Sequence, residues 1–368
     1  MSRRSHILLR LGLVVVVLLV APIPVSAHEK WFVDGRLYPP HFELLLTLPV
    51  VSMIALACAG VGSLALLRYL AGGQNRFLQI GFLRYYDRSN RVILAVEAAI
   101  SLIAVAVGSR LFAPNLMTHN MIVNLLFAII EIFVAFCFIT GYLTRVGAAI
   151  LLGLFLVAFL FFPAWEVLEQ SVYAGIALYL LIMGRGLTKP GNPREPLVAL
   201  SRYWRFAPLL LSIGAGVSIA VLAFTEKLLD PALALAFLKT HPNFNVAHTI
   251  GLTWFTNERF IFAAGAVELT IGLALISGIL PRLVILGMFV PFNLALPFLG
   301  PTELLGHLPV FAVMYVLFFL PPPSVQKLDA EQQGNIEHRK TDTKQQKGVP
   351  SAEDTDATVK LVRPYGSF

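Results

Sequence analysis

The sequence predicts an all-α, polytopic transmembrane helix bundle made of two tandem four-helix repeats behind an N-terminal helix. Three observations carry this: an apolar composition, apolar runs of membrane-spanning length, and a spaced set of four residues that occurs twice. Of the 368 residues, 57% are hydrophobic and 13% charged, against about 45–50% and about 25% in soluble domains. The apolar residues fall into runs at approximately 42–67, 92–110, 121–140, 146–163, 170–186, 207–225, 260–279, 283–300 and 305–321. Each is near the ~20 residues a helix needs to cross a hydrocarbon core of about 30 Å. The lipid bilayer is therefore the first partner the chain implies.

The formal charge of +7 would suggest nucleic acid in a soluble protein. Here the basic residues cluster in alternate loops, as orientation in a membrane requires, and no clustered basic face of the nucleic-acid-binding kind is evident. Cys58 and Cys137 both lie inside apolar runs, which argues against a structural disulfide, a CxxC redox pair or a cysteine zinc site.

Residues 1–27 combine a basic start (Arg3, Arg4, Arg10), an apolar stretch from Leu11 to Ala21 and the small-residue sequence Val25-Ser26-Ala27. They read as a secretory signal cleaved before His28, with an uncleaved first span as the alternative. Lys and Arg decide orientation. Twelve (Arg68, Arg76, Arg84, Arg88, Arg91, Arg145, Arg185, Lys189, Arg194, Arg202, Arg205, Arg282) lie on one side and six (Lys30, Arg36, Arg110, Lys227, Lys239, Arg259) on the other. The richer side belongs to the cytoplasm, which puts the mature N-terminus in the periplasm and the C-terminus in the cytoplasm of an inner-membrane protein. The segment 322–368 is polar, has almost no aliphatic runs and is expected to be a disordered cytoplasmic tail.

The repeat is explicit. Glu131, Gly141, Arg145 and Glu166 recur as Glu268, Gly278, Arg282 and Glu303, each displaced by 137 residues. Leu111-Phe112-Ala113-Pro114 matches Leu228-Leu229-Asp230-Pro231 at a displacement of 117, so the second copy carries about twenty extra residues in its outer loop. An even number of helices per copy makes this a parallel repeat, with a pseudo-two-fold axis along the membrane normal. Small residues such as Gly265, Gly272 and Gly287 are expected to permit close helix approach. The organisation is a leader at 1–27, an outer segment, one helix and a basic loop at 28–91, a first repeat at 92–190, a basic linker at 191–206, a second repeat at 207–321 and the tail.

Glu226-Lys227-Leu228-Leu229-Asp230-Pro231, Val267-Glu268-Leu269, Gly278-Ile279-Leu280-Pro281-Arg282 and Glu303-Leu304-Leu305-Gly306-His307-Leu308-Pro309 together resemble the DoxX family of four-helix membrane proteins. The resemblance covers roughly 92–321 and is stronger in the second half. It implies a membrane subunit of quinone-linked oxidation of sulfur compounds, or a partner in thiol and oxidative-stress complexes.

Glu131 and Glu268 sit about ten residues from a cytoplasmic turn, hence about 15 Å deep. A carboxyl there suggests a proton, ion or polar-substrate site, or else an interhelical hydrogen bond that fixes packing. Glu97 is a third candidate without a match in the second half. Glu303 and His307, spaced i, i+4, suit a proton relay, a quinone head group or a metal, or else a helix cap. The first copy has Glu166 and Gln170 there. Gly141, Arg145, Gly278 and Arg282 read as hairpin turns anchored at the interface. If His28 becomes the N-terminus, its amine and imidazole suit copper, with His41, His241 or His248 completing the set. No phosphate loop, nucleophile elbow or zincin motif occurs. Glu268, Glu303, His307 and Glu131 are thus the candidate chemical residues. The leading function is a quinone-linked redox subunit fed by a periplasmic partner. The alternatives are a transporter or copper-handling protein using the cleft between repeats, and a scaffold, with homo-oligomerisation left open.

Overall fold

The computed structural model describes residues 29–71, 87–185 and 197–319. The expected signal, His28, the tail and parts of the two basic loops lie outside the described residues. The regular structure of the described chain is all helical, with no strand among the described residues. We label the principal helices α1 (Leu48–Leu70), α2 (Asp87–Val107), α3 (Met121–Thr140), α4 (Thr144–Ala158), α5 (Ser171–Met183), α6 (Ala207–Leu222), α7 (Pro231–Thr240), α8 (Asn257–Ser277) and α9 (Pro281–Phe319). Five helical stretches among the described residues are long and apolar enough to cross a membrane: Leu48–Leu70, Ser89–Val107, Met121–Thr140, Val198–Leu228 and Asn257–Ser277. This is a multi-pass membrane bundle.

Local sequence explains where the helices begin. Asn120 accepts from the backbone N–H groups of Ile122 and Val123, and Asp230 and Thr256 cap α7 and α8 in the same way. Proline occupies the first turn of α1, α6 and α7, where its missing N–H costs no bond.

Three apolar runs differ from their sequence expectation. The run at 146–163 stops as α4 at Ala158 and is followed by a short helix at Ala164–Leu168. The runs at 283–300 and 305–321 belong to one helical path, α9, which doubles back on itself. Its Phe292 and His307 rings lie 4.9 Å apart, whereas a straight helix would hold them about 22 Å apart. The expected pair of spans is therefore present as a helical hairpin with no intervening loop. The second-copy insertion is also partly helical, holding α7 and the short helix Val246–Thr249.

The repeat is visible in the backbone. Gly141 (φ 72) and Leu143 (φ 56) end the α3–α4 turn, and Gly278 (φ 63) and Leu280 (φ 45) end the α8–α9 turn. Each copy places two residues, separated by one, in the left-handed region that a leucine rarely enters. In each copy the first helix packs on the second, α2 on α3 and α6 on α8. The closing hairpin of each copy meets the opening helix of the other, through α5 on α6 and α9 on α2. That reciprocal exchange is the arrangement a pseudo-two-fold axis generates.

α6 is the centre of the bundle, and glycine is what lets its neighbours approach. A β-carbon on Gly214 would lie 2.6 Å from the Cα of Gly175 on α5, and one on Gly216 would lie 2.6 Å from the carbonyl oxygen of Gly272 on α8. Ser171 tightens the first crossing by donating to the Gly214 carbonyl at 2.8 Å. Gly214→Ile is expected to cost about 1–3 kcal/mol through overpacking, read as a lower thermal midpoint in detergent. Gly153→Ala, where a β-carbon meets nothing within 4 Å, is expected to leave the midpoint unchanged or raise it.

Candidate functional site

At the end of the bundle that carries the insertion, charged side chains from four parts of the chain converge. The N-terminal 3-10 turn Glu29–Trp31 supplies Glu29 and Lys30, and the residue pair before α5 supplies Glu169. The π-helical turn Ala223–Leu228 that ends α6 supplies Thr225, Glu226 and Lys227, and α8 supplies Glu268. A π turn holds one more residue than an α turn and recurs at functional sites. Here three successive polar residues all point inward, with Thr225, Glu226 and Lys227 at most 3% exposed.

Lys227 is the hub. Its Nζ lies 3.1 Å from Glu29 Oε1 and 3.2 Å from Glu268 Oε2. Glu226 accepts from the Glu29 backbone N–H at 3.1 Å. Lys30 makes an ion pair with Glu169, whose Oε1 also accepts from the Thr225 hydroxyl at 2.6 Å. The Glu169 backbone is held as well, since its carbonyl accepts from Ser218. Isolated, each of these charges would cost several kcal/mol to desolvate, so the pairing is what makes their burial tolerable. Asp230 lies fully buried nearby as the cap of α7, and burial pushes its carboxyl above the usual range.

The N-terminal strap crosses both copies. Lys30 meets Glu169, and the next residue, Trp31, lies on Gly306, where a β-carbon would overlap the indole. Glu169 and Gly306 are separated by the repeat displacement of 137, so adjacent strap residues engage equivalent positions of the two copies. The Trp31 ring also lies 5.7 Å from the His307 ring, which Phe292 and Phe311 flank on other sides.

The expected chemical residues separate into distinct surroundings. Glu268 and His307 are both buried, Glu268 in the charge cluster and His307 under Trp31. Glu303 lies on the α9 helical path one turn before His307. Glu131 does not join them. It is fully buried and accepts from the Phe112 backbone N–H at 2.8 Å, beside Tyr173, which bonds Ser101 at 2.9 Å. The two glutamates of the repeat thus use different partners, a backbone amide in the first copy and a lysine in the second. Lys227 corresponds to Arg110 at the 117-residue displacement, and Arg110 turns to the Pro114 carbonyl. Glu97 is half-buried on α2.

Arg145 donates to the Leu181 and Ile182 carbonyls at 3.1 and 3.2 Å, two of the orphan acceptors at the end of α5. Arg282 is half-buried at the equivalent start of α9. The described histidines proposed for copper have other neighbours. His241 stacks on Phe237 at 4.6 Å, His248 is exposed, His41 bonds Glu43 at 2.8 Å, and His28 lies outside the described residues. No group of three metal-ligating side chains occurs among the described residues.

Sequence reasoning missed Glu29, Lys30, Glu169 and Lys227 as site residues. The available signal was that all four fall on the same expected face, Glu169 and Lys227 at the ends of apolar runs and Glu29 and Lys30 in the outer segment. Counting Lys30 and Lys227 only as orientation charges hid it. No family model matches the chain, and no curated protein or solved structure matches it either.

Lys227→Met is expected to destabilise the protein by about 3–5 kcal/mol, because it strands buried carboxyls. Adding Glu268→Gln is expected to recover part of that loss, and additive losses in the cycle would show that the two side chains are not coupled. Lys30 lies outside the spans. Burial alone would lower its ammonium, but Glu169, then Glu226 and Glu166, outweigh burial and hold it above the ordinary 10.5. A raised lysine stabilises fully below its unfolded value and loses that stabilisation as pH climbs through its folded value. The thermal midpoint gap between wild type and Lys30→Gln is thus expected to stay constant from about pH 6 to about pH 9 and to shrink only above 10.5.

Proposed function

We propose that this membrane protein handles protons at the Glu29–Lys227–Glu268 cluster as a subunit of a quinone-linked redox system of the DoxX-like kind. Its insertion-bearing end would face the periplasm of the inner membrane, where a partner protein delivers electrons. The observation that carries the proposal is the charge balance of the cluster. Four carboxyls (Glu29, Glu169, Glu226 and Glu268) meet two ammonium groups (Lys30 and Lys227) in one desolvated site. Neutrality there is reached by protons or by an added cation, and we favour protons because Lys227 already links Glu29 to Glu268 as a hydrogen-bonding bridge.

The chemistry fits a station that takes and releases protons rather than one that forms covalent intermediates. A carboxyl pair bridged by a lysine can change its proton content with little movement, because each member already has a hydrogen-bonding neighbour. In the quinone reading, Glu268 passes a proton through Lys227 and Glu29 toward the outer end. His307, with Glu303 one helical turn before it, would serve the head group from the second copy.

The test measures quinone-linked respiration in membrane vesicles carrying wild type, Glu268→Gln or Glu226→Gln, together with solvent extraction of the purified protein for bound quinone. Loss of a positioned acid–base group is expected to slow the rate by about 100-fold or more. Unchanged rates and an extract without quinone would sink the redox reading. If sodium or rubidium uptake is lost instead, the cluster serves cation transport through the cleft between the copies. Intact behaviour on every measure would leave a scaffold.

A further inference from the structure

We propose that the N-terminal strap is a latch over His307: the ion pairs of Glu29 and Lys30 hold Trp31 in place, so that loosening the charge cluster uncovers the imidazole. The inference concerns access to one ring of the second copy and stands apart from the redox reading.

Contacts define the cover. His307 is 1% exposed. Its ring has Phe292 at 4.9 Å, Phe311 at 6.3 Å and Trp31 at 5.7 Å. Phe292 and Phe311 belong to the same helical hairpin, α9, as His307 itself. Trp31 is the one of the three that comes from a different part of the chain. It seats closely because residue 306 is glycine, where a β-carbon would overlap the indole.

The same turn that carries Trp31 also carries both strap charges. Glu29, Lys30 and Trp31 are successive residues of one 3-10 turn. The Glu29 carbonyl accepts from the Phe32 and Val33 backbone N–H groups at 3.0 and 2.9 Å. A turn closed by its own backbone bonds passes a displacement on rather than absorbing it. Two of its residues engage the cluster, Glu29 with Lys227 at 3.1 Å and Lys30 with Glu169. The third covers His307. The charge cluster and the imidazole, which lie in separate surroundings, are joined by this one unit.

The far side of the turn is held differently. Phe32 packs on Phe237 and His241 of the insertion, at 5.8 Å from each ring, and the His41 backbone N–H donates to the Leu229 carbonyl at 2.9 Å. The strap therefore has an ionic end and a packed end, and the ionic end is the one that a change of charge can release. A buried charge stripped of its partner is driven back toward water. Lys227, Glu169 and Glu268 are set on the bundle, whereas Glu29 and Lys30 sit on the strap. Loss of either pair is thus relieved by the turn swinging outward on Phe32, and Trp31 leaves His307 with it.

The experiment treats the full chain in detergent with diethyl pyrocarbonate and follows histidine modification by peptide mass spectrometry. The exposed His248 is the internal reference. Trp31→Ala, Glu29→Gln and Lys30→Gln are compared with wild type and with Gly214→Ile, which loosens the α5–α6 crossing without touching the strap. The rate at His307 relative to His248 is expected to rise about tenfold or more in Trp31→Ala and in the charge variants, which requires closure to weaken by about 1.4 kcal/mol. It is expected to stay at the wild-type value in Gly214→Ile. Exposure in Trp31→Ala together with either charge variant supports the latch. Protection of His307 in Trp31→Ala shows that the indole is not its cover, and protection in both charge variants shows that the ion pairs do not hold it. Either result overturns the proposal, as does equal exposure in Gly214→Ile. Should Glu29→Gln not be recovered folded, Glu29→Asp, one methylene shorter with its charge kept, is read in its place. The labelling needs no quinone, so the respiration rates of Glu268→Gln report on the redox reading separately.

Discussion

Lys227 is a single ammonium group, 3% exposed, placed between Glu29 and Glu268, and the end of the bundle is organised around keeping it paired. A lysine so deeply buried is tolerable only when carboxylates approach it closely. That requirement fixes the N-terminal turn against the π turn of α6, and it fixes both against α8. The π turn, the strap and the loop that carries Asp230 enclose the cluster so that its carboxyls are buried. A membrane makes the constraint stricter, because hydrocarbon supplies no water to complete a partial pairing.

Around that cluster the two copies have diverged while their frame has not. The Gly141 and Gly278 turns share the same left-handed pattern, and the copies exchange closing hairpins and opening helices symmetrically. At the opposite end, Glu131 settles on a backbone amide and Glu268 on a lysine. Gln170 is replaced by His307, and Glu169 by Gly306. The strap exploits this asymmetry, putting a cation on the glutamate and an aromatic ring on the glycine. A duplicated fold has in this way acquired a charge cluster in which the two copies take unlike parts.

The composition and the runs of about twenty apolar residues determined a polytopic helical bundle, because only helices of that length satisfy their own backbone in hydrocarbon. The 137-residue displacement located both glycine turns, since a chain reversal of that kind needs a left-handed residue at a defined place. Two features escaped. The final two spans are joined without a loop, which hydropathy cannot distinguish from two helices with a short gap. The site was legible only in part: Glu268 and His307 stand out as polar residues in apolar runs, but Glu169 and Lys227 lie at run edges and Glu29 and Lys30 in the outer segment before the first run, where charge is ordinary.

What the sequence by itself determined is therefore the class, the repeat and the two turns, all of which follow from local periodicity and backbone conformation. The tertiary structure alone decided which charges are paired. Glu29 and Lys227 are nearly two hundred residues apart, and nothing local brings them together. Their meeting depends on the strap folding across both copies, where Gly306 leaves room for Trp31 and Glu169 pairs with Lys30.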